Sequence, residues 1–348
     1  MRVMTRLSQK NLNQTQSAAQ AAEATGFDGL ATMENSNNPF LPLAIAATTT
    51  ERIELMTGIA IAFARSPMAV ANMAHDLQLA SGGRFKLGLG SQVKGHNERR
   101  FSVPWTPPAP RMKEYVESLR AIWRCWETGA PLDYVGDHYK FTLMTPHFVP
   151  EKTNLPMTPI TIAAVGPAML RVAGRYCDGA QLHPFCTRRY VEEVVMKRLG
   201  EGMEKSTLAR ENFEISGGGF IVTGPDQETV DKIFEYVRYR VAFYGSTRTY
   251  WPVFELHGLT DLGGKLHRLS KAGKWDEMAR EIPDDVVHLF AAVGRHDEIA
   301  KAIEDRFGGL SDSVDAIAAP DAEPGLTQDL VQDIQKISSP FKDFATAW

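Results

Sequence analysis

Cysteine is scarce in this chain of 348 residues, which contains only three: Cys125, Cys177 and Cys186. An odd count without C-x-x-C spacing argues against a secreted disulfide framework and against a structural zinc site. Long apolar runs are also missing. Arg65 and Pro67 interrupt the best candidate before it reaches the roughly 18 residues that a membrane span needs. Because the N-terminus is polar and lacks the apolar core of a signal peptide, we expect a cytoplasmic protein without a membrane partner.

An excess of positive charge is equally absent. The chain has 42 acidic residues against 38 Lys and Arg, a formal net charge of -4. A global basic field of the kind that binds nucleic acid is therefore excluded, and a nucleic-acid partner is not expected. The 43% hydrophobic composition is that of an ordinary globular protein. Length alone suggests two domains, although α/β barrels often run longer as one.

Several catalytic and nucleotide-binding motifs are missing. The nine histidines form no HxH or HExxH pattern, so no metal site is predicted, and no GxSxG nucleophile elbow occurs. The segment GLGSQVKG fails as a dinucleotide fingerprint because Val93 stands where the third glycine is needed. The segment GLTDLGGKL fails as a phosphate loop because Gly264 stands in the lysine position.

What the chain does contain is a regular alternation of short apolar runs with longer amphipathic ones. Continuously apolar runs are typical of strands buried on both faces of a parallel sheet. The candidate strands are Val3–Leu7, Gly26–Leu30, Ile53–Phe63, Phe85–Gly90, Pro159–Val165, Gly179–Pro184, Phe213–Thr223, Val286–Val293 and Val314–Ala319. The candidate helices are Pro67–Leu79, Arg111–Trp126, Ala168–Tyr176, Gln227–Phe243 and Asp297–Phe307. Eight or nine such strands favour an α/β fold of the TIM (β/α)8 barrel type over a doubly wound sheet.

We predict one barrel domain spanning 1–348, enlarged by insertions near 91–110, 128–158 and 244–273. The first two are expected to leave the C-terminal ends of barrel strands, where active-site loops gather. The second contains LDYVGDHYKFTL, which predicts a small hairpin. The third is expected to be irregular and to form a lid or an interface.

Five segments, taken together and in this order, resemble the bacterial luciferase-like family. They are GFDGLATME, ERIELMTGIAIAFARSP, DLQLASGGRFKLGLGSQVKGHNERRF, AVGPAMLRVAGRYCDG and AAVGRHDEIAKAI. The block LASGGRFKLGLG is the most specific of them. VKGHNERRF, VPW and ELHG resemble a subgroup of F420-dependent oxidoreductases. The resemblance covers nearly the whole chain.

The resemblance implies a TIM barrel oxidoreductase that transfers a hydride between coenzyme F420 and a small, hydrophobic organic substrate. One alternative is an FMN-dependent monooxygenase that uses reduced flavin and O2, with a flavin reductase as partner. Another is a barrel that binds flavin or another ligand without turnover. Because members commonly associate as dimers, the resemblance also implies a homo-oligomer.

The resemblance to this family further implies where the cofactor binds. Ala60, Ile61 and Ala62 end the third strand, where members often carry a bulge with a cis non-proline peptide behind the cofactor ring. Core packing of an apolar strand is the competing interpretation.

Further cofactor contacts are expected at the ends of the fourth and fifth strands. Gly88, Gly90, Ser91 and Gln92 would line the ring edge or the cofactor side chain, unless they form an ordinary strand-to-loop turn. A second group would hold the cofactor phosphate at a helix start. It consists of Gly166, Pro167 and Ala168. Here the chain departs from the family pattern, because no hydroxyl residue stands in this turn and Pro167 has no N–H to donate.

Two residues are candidate catalytic groups. Glu34 ends the second strand, and it would hydrogen-bond the ring or place a proton donor; a solvated loop acid is the alternative. The histidine that members often carry after this acid is missing from MENSNN. His183 lies at another strand end, where its imidazole is suited to protonate a substrate oxygen near neutral pH. A hydrogen-bonded structural histidine is the competing interpretation.

The insertions carry two more groups of candidates. His96 with Lys94, Arg99 and Arg100 forms a cationic cluster that either attracts an anionic cofactor tail or is a solvated face. The large aromatic residues and a histidine of the insertions either wall a hydrophobic substrate pocket or cover an interface. They are Trp105, Tyr244, Trp251 and His257.

Overall fold

Eight parallel strands form a closed barrel in the computed structural model, which describes residues 1–316 and 325–345. The strands are β1 (Arg2–Arg6), β2 (Gly29–Thr32), β3 (Glu54–Thr57), β4 (Phe85–Gly90), β5 (Ile160–Ala163), β6 (Gly179–Leu182), β7 (Glu214–Gly217) and β8 (Ser313–Asp315). Each strand pairs in parallel with its neighbours in sequence, and β8 pairs with β1. The predicted TIM barrel is therefore confirmed.

Helices surround this barrel. They are Thr15–Thr25, Phe40–Thr49, Pro67–Ser81, Lys94–Arg99, Pro108–Thr128, Pro167–Tyr176, Arg188–Tyr190, Met196–Met203, Gln227–Gly245, Trp251–Leu256, Thr260–Lys271, Trp275–Arg280, Asp284–Phe290, Ile299–Phe307 and Gln328–Gln335. A π-helical stretch, Val191–Val195, joins the seventh to the eighth. All five predicted helices are present, with ends within three residues of the predicted ones. None of the helices in the described ranges is both long and apolar enough to cross a membrane.

One predicted strand is mostly a helix. The run Val286–Val293 forms a helix as far as Phe290, and only its last residues form a strand, Ala291–Val293. Pro283 and the two aspartates that follow it supply the helix-start signals that the apolar run obscured. The short strand pairs in parallel with Phe220–Val222 in a separate two-stranded sheet.

Other predicted strands are shorter than expected. The run Ile53–Phe63 forms β3 only as far as Thr57, and Ala60–Ile61 is a separate short strand that pairs with β4. The run Phe213–Thr223 is divided, because Gly217 and Gly218 adopt positive φ of 76° and 98° between β7 and the strand that follows. The run Val314–Ala319 contributes to β8 only as far as Asp315, and residues 317–319 lie outside the described residues.

The insertion near 128–158 was predicted to leave the C-terminal end of a strand, and this prediction is wrong. It follows the helix Pro108–Thr128, and therefore starts at the opposite end of the barrel. The predicted hairpin is present, with Tyr134–Val135 antiparallel to Lys140–Phe141. Two carboxylates of the helix hold this insertion: Glu114 accepts N–H bonds from the hairpin turn, and Glu127 accepts them from residues 153 and 154.

The insertion near 244–273 is helical rather than irregular. It contains a short 3-10 turn and the two helices Trp251–Leu256 and Thr260–Lys271. His257 joins it to the barrel through a 2.7 Å hydrogen bond between its Nε2 and the hydroxyl of Thr187, which follows β6. The insertion near 91–110 does follow a strand end, that of β4, and includes the helix Lys94–Arg99.

A buried ion cluster fills the base of the barrel. Lys86 and Glu214 form an ion pair inside it, and Arg2 bridges Glu214 and Glu54 at 3.3 and 2.5 Å. The C-terminal segment covers this end, with the Phe344 ring 5.4 Å from the Lys86 ammonium. A cavity of about 210 Å³ lies between that segment and the strand starts. The base is therefore closed by charge pairing, and the mouth at the other end is where the candidate site lies.

Candidate functional site

The predicted site residues follow five consecutive strands, β2 to β6. Glu34 follows β2, Ala60–Ala62 follow β3, Gly90–Gln92 end and follow β4, Gly166–Ala168 follow β5, and His183 follows β6. Because the carboxyl ends of parallel barrel strands meet at one rim, the structure places all of these groups on one side of the barrel mouth.

A cis peptide bond joins Gly58 to Ile59 at the end of β3. The resemblance placed such a bond near Ala60–Ala62, and the structure has it directly before them. Ala60, Ile61 and Ala62 are completely buried, and the first two pair with Leu89 and Gly90 of β4. Gly58 and Ile59 are only half-buried, so they are the part of this segment that a ligand in the mouth can touch. Cofactor contact by Ala60–Ala62 stays a prediction, limited to their backbone.

Glu34 is held by a guanidinium. Arg65 donates to both carboxylate oxygens of Glu34, at 2.7 and 2.8 Å, and the backbone N–H of Ile61 donates to one of them at 2.7 Å. The Glu34 N–H donates to the Ile59 carbonyl at 3.2 Å. Both carboxylate oxygens are therefore already engaged by donors from the segment after β3. These contacts favour positioning of the segment after β3, and the catalytic role of Glu34 stays a prediction.

The two glycines of β4 leave room for side chains that close the barrel below the mouth. A Cβ on Gly88 would lie 1.9 Å from the Thr57 carbonyl oxygen and 2.1 Å from Gln181 Nε2, and a Cβ on Gly90 would lie 2.6 Å from Ile59 Cδ1. Gln181 of β6 donates to the Thr57 carbonyl at 3.3 Å and to the Thr161 hydroxyl at 2.8 Å. Gly88 and Gly90 therefore serve packing directly, and they shape the floor on which a ligand would rest.

The turn after β5 has the features of an anion cradle. Gly166 precedes the ten-residue helix Pro167–Tyr176 without a side-chain cap, and a Cβ on Gly166 would meet nothing within 4 Å. In the described part of the chain, the N–H groups of Ala168 and Met169 have no acceptor. Pro167 and Ala168 are exposed. Free N–H groups at a helix start fit a phosphate group, so these residues are suited to hold a phosphate-bearing cofactor.

The loop after β4 is ordered by Asn97. This completely buried residue donates its amide to the carbonyls of Ser91 and Val93, at 2.9 and 3.1 Å. Ser91 and Gln92 are half-buried, and Gln92 has a positive φ of 56°. The predicted cationic residues of this loop are exposed on the surface. They are Lys94, His96, Arg99 and Arg100.

His183 lies in an aromatic cage at the end of β6. Its ring centroid is 4.4 Å from that of Tyr244 and 4.6 Å from that of Tyr250, and its Nδ1 accepts the Phe185 N–H at 3.0 Å. Burial and then the nearby Arg240 guanidinium lower the pKa of His183 to about 3. The imidazole is therefore neutral at pH 7, and because Nδ1 accepts a hydrogen bond its proton is on Nε2, from which it can donate to an acceptor oxygen. The catalytic role of His183 stays a prediction.

The aromatic candidates of the insertions differ in whether they contact the candidate site. Tyr244 touches His183, whereas Trp251 donates its indole N–H to the Gly245 carbonyl at 3.0 Å and serves packing within the insertion. Trp105 is half-buried in the loop after β4. Within the described ranges, no group of three His, Cys, Asp or Glu side chains is placed to hold a metal ion.

Sequence reasoning missed four residues of the mouth. They are Arg65, Gln181, Arg240 and Tyr250. A polar Gln181 within the apolar run GAQLHP was the one available signal. The others depend on partners from distant segments of the chain, which no local pattern reveals.

The chain is thus a TIM barrel whose candidate site residues lie at the carboxyl ends of its strands. It belongs to the luciferase-like monooxygenase family, whose family model matches residues 1–312. It is 46% identical to an uncharacterised protein from Mycobacterium tuberculosis, covering 85% of this chain and 87% of that protein. It is 28% identical to the 5,10-methylenetetrahydromethanopterin reductase of Archaeoglobus fulgidus, covering 82% and 83%.

Solved structures share the fold. The coenzyme F420-dependent tetrahydromethanopterin reductase from Methanopyrus kandleri superposes with a TM-score of 0.76 at 20% identity, over 97% of both chains. The oxygenating constituent of 3,6-diketocamphane monooxygenase from Pseudomonas putida, in complex with FMN, superposes with a TM-score of 0.65 at 17% identity, over 98% of this chain and 99% of that one. Solved structures with this fold therefore include both an F420-dependent enzyme and an FMN complex.

Proposed function

We propose that this protein is an oxidoreductase that transfers a hydride between coenzyme F420 and a small, hydrophobic organic substrate. The observation that carries the proposal is the open helix start at Gly166 on the same rim as the half-buried Gly58–Ile59 segment. This pairing gives a phosphate-bearing, flat cofactor both an anchor and a surface of backbone. Two similar proteins support the choice of cofactor. They are the 5,10-methylenetetrahydromethanopterin reductase of Archaeoglobus fulgidus and the coenzyme F420-dependent tetrahydromethanopterin reductase of Methanopyrus kandleri.

When bound, the cofactor would supply the hydride chemistry. The residues of this chain would bind it, orient the substrate and exclude water. Ala168 and Met169 would donate their N–H groups to the phosphate, while Ile59 and Gly58 would lie behind the ring. His183 would donate its Nε2–H to an oxygen of the substrate, and the aromatic cage around it would keep water away.

The second candidate is an FMN-dependent monooxygenase that uses reduced flavin and O2, with a flavin reductase as partner. The solved FMN complex with the same fold favours it, because the helix start after β5 suits either phosphate group. The third candidate is a barrel that binds flavin or another ligand without turnover. Unlike the two enzyme candidates, it would catalyse no reaction.

One titration separates the three. The purified protein is titrated with F420 and FMN, each oxidised and reduced, and oxygen consumption is followed with a panel of substrates. F420 binding without oxygen uptake supports the proposal. Preferential binding of reduced FMN with oxygen uptake supports the monooxygenase, and binding without turnover across the panel supports the third candidate. Light scattering on the same sample tests the proposed homo-oligomer.

A further inference from the structure

Among the residues that the structure describes, Arg240 is a half-buried cation that no carboxylate pairs with. It lies on the helix Gln227–Gly245, with its guanidinium carbon 5.8 Å from the Tyr236 ring centroid and 4.9 Å from that of Tyr244. Its side chain donates to the hydroxyls of both tyrosines, at 3.3 Å for Tyr236. The Nε atom is buried without an acceptor. In the described ranges no carboxylate forms an ion pair with Arg240.

Arg84, whose hydrogen-bond acceptors are also uncharged, shows an arginine side chain with its donors fully used. Arg84 donates to four backbone carbonyls and to the Thr50 hydroxyl, which fixes the end of a helix. Arg240 has no carbonyl among its hydrogen-bond partners, and its two hydroxyl partners are free to rotate. A half-buried guanidinium whose hydrogen-bond partners are two hydroxyls that can turn is an arrangement prepared for an anion.

The position of Arg240 connects it with the barrel mouth. The Tyr244 ring that lies under the guanidinium also contacts His183, and His183 contacts Tyr250. An anion on Arg240 would therefore lie beside a wall of aromatic rings and close to the imidazole. Such walls suit a flat, apolar body attached to the anionic group.

We propose that Arg240, with the hydroxyls of Tyr236 and Tyr244, binds a carboxylate of the substrate, whose apolar body lies against His183 and Tyr250. This inference rests on the proposed function, which places the substrate at the mouth. A single guanidinium matches the charge of a carboxylate, whereas a phosphate dianion would keep half of its charge uncompensated. The planar fork of an arginine also suits the two oxygens of a carboxylate.

The test compares two ligands of the same shape, phenylacetate and phenylacetamide, by NMR titration of the protein with and without cofactor. We expect the wild type to bind the carboxylate about tenfold more tightly than the amide, a ratio typical of one charge-assisted contact. Arg240→Met should abolish this preference, and Arg240→Lys should retain part of it. Arg248→Met is the matched control, because Arg248 is exposed and lies over the Trp251 ring, 5.7 Å away.

The proposal is overturned by no preference in the wild type, by an unchanged preference in Arg240→Met, or by an equal loss in Arg248→Met. Thermal unfolding of each variant checks that it is folded. Cofactor affinity is titrated separately. If Arg240→Met weakens cofactor binding instead, the anion belongs to the cofactor and the proposal is also wrong. If neither cofactor binds the wild type, the proposed function fails, while the carboxylate preference is still decided by the cofactor-free titration.

Discussion

Glu34 and Arg65 form a two-pronged ion pair directly beside the cis peptide bond that follows β3. Glu34 Oε2 accepts the Ile61 N–H at 2.7 Å, and Arg65 Nη1 donates to the Ile61 carbonyl at 3.2 Å. The pair therefore clamps both backbone groups of one residue. Its side chains are 6% and 18% exposed, so water competes little for these bonds. The shape of the rim at Ile59–Ile61 depends on two residues that the chain separates by 31 positions.

Replacing Glu34 by Gln should destabilise the protein rather than remove only a proton donor. The amide can still accept from Ile61, but the guanidinium loses its counter-charge, which costs about 2–3 kcal/mol of unfolding free energy. Urea unfolding measures the loss. Glu98→Gln is the control, because Glu98 pairs with Lys94 on the exposed surface at 3.8 Å and should cost less than about 0.5 kcal/mol. A Glu34→Gln protein of unchanged stability and cofactor affinity that lacks turnover would instead favour the catalytic role.

The two glycines of β4 should respond differently to alanine. At Gly88 the added Cβ meets a backbone oxygen at 1.9 Å, which cannot move, so a loss of about 3 kcal/mol or failure to fold is expected. At Gly90 the nearest atom is the end of the Ile59 side chain, which can rotate, so the stability loss should be smaller. Because Ile59 lies at the mouth, Gly90→Ala should instead change cofactor affinity. Urea unfolding and cofactor titration of both variants check this, and equal stability losses would contradict it.

Replacing Gly166 by Glu should weaken cofactor binding without destabilising the fold. The position has open space and an ordinary φ of -90°, so a side chain is tolerated, and a carboxylate at a helix start favours the helix. The same carboxylate would repel and displace a phosphate at the free N–H groups. We expect at least a tenfold loss of affinity in a fluorescence titration, with Gly166→Ala close to wild type. Unchanged affinity in a folded Gly166→Glu protein would refute the placement of the phosphate.

The fold was more accessible to sequence reasoning than the site. Runs such as FKLGLG and PITIAAV are apolar on both faces, and this local property predicted β4 and β5 directly. The same reasoning was wrong for VVHLF, since an apolar helix and a buried strand share that composition. The site depends on contacts between distant segments: Glu34 with Arg65, Gln181 with Thr57, and His183 with Tyr244. No spacing rule links those pairs, so the roles expected for Glu34 and His183 were drawn without their partners.

The neutral state of His183 should be visible in the acid sensitivity of the fold. Its folded pKa of about 3 lies below the value of 6.5 expected in the unfolded chain. Between these two values the unfolded state binds a proton that the native state does not, so stability falls as the pH drops from about 6.5 toward 3. The contribution of one such group approaches about 1.4 kcal/mol per pH unit.

Replacing His183 by Asn, whose amide oxygen can still accept the Phe185 N–H, should make the unfolding free energy fall less steeply between pH 6.5 and 4.5. His96→Asn, on the exposed helix after β4, is the matched control for the substitution itself. Equal slopes for wild type and His183→Asn would show that the imidazole is not held neutral, and NMR titration of the ring would then report a pKa near the ordinary one.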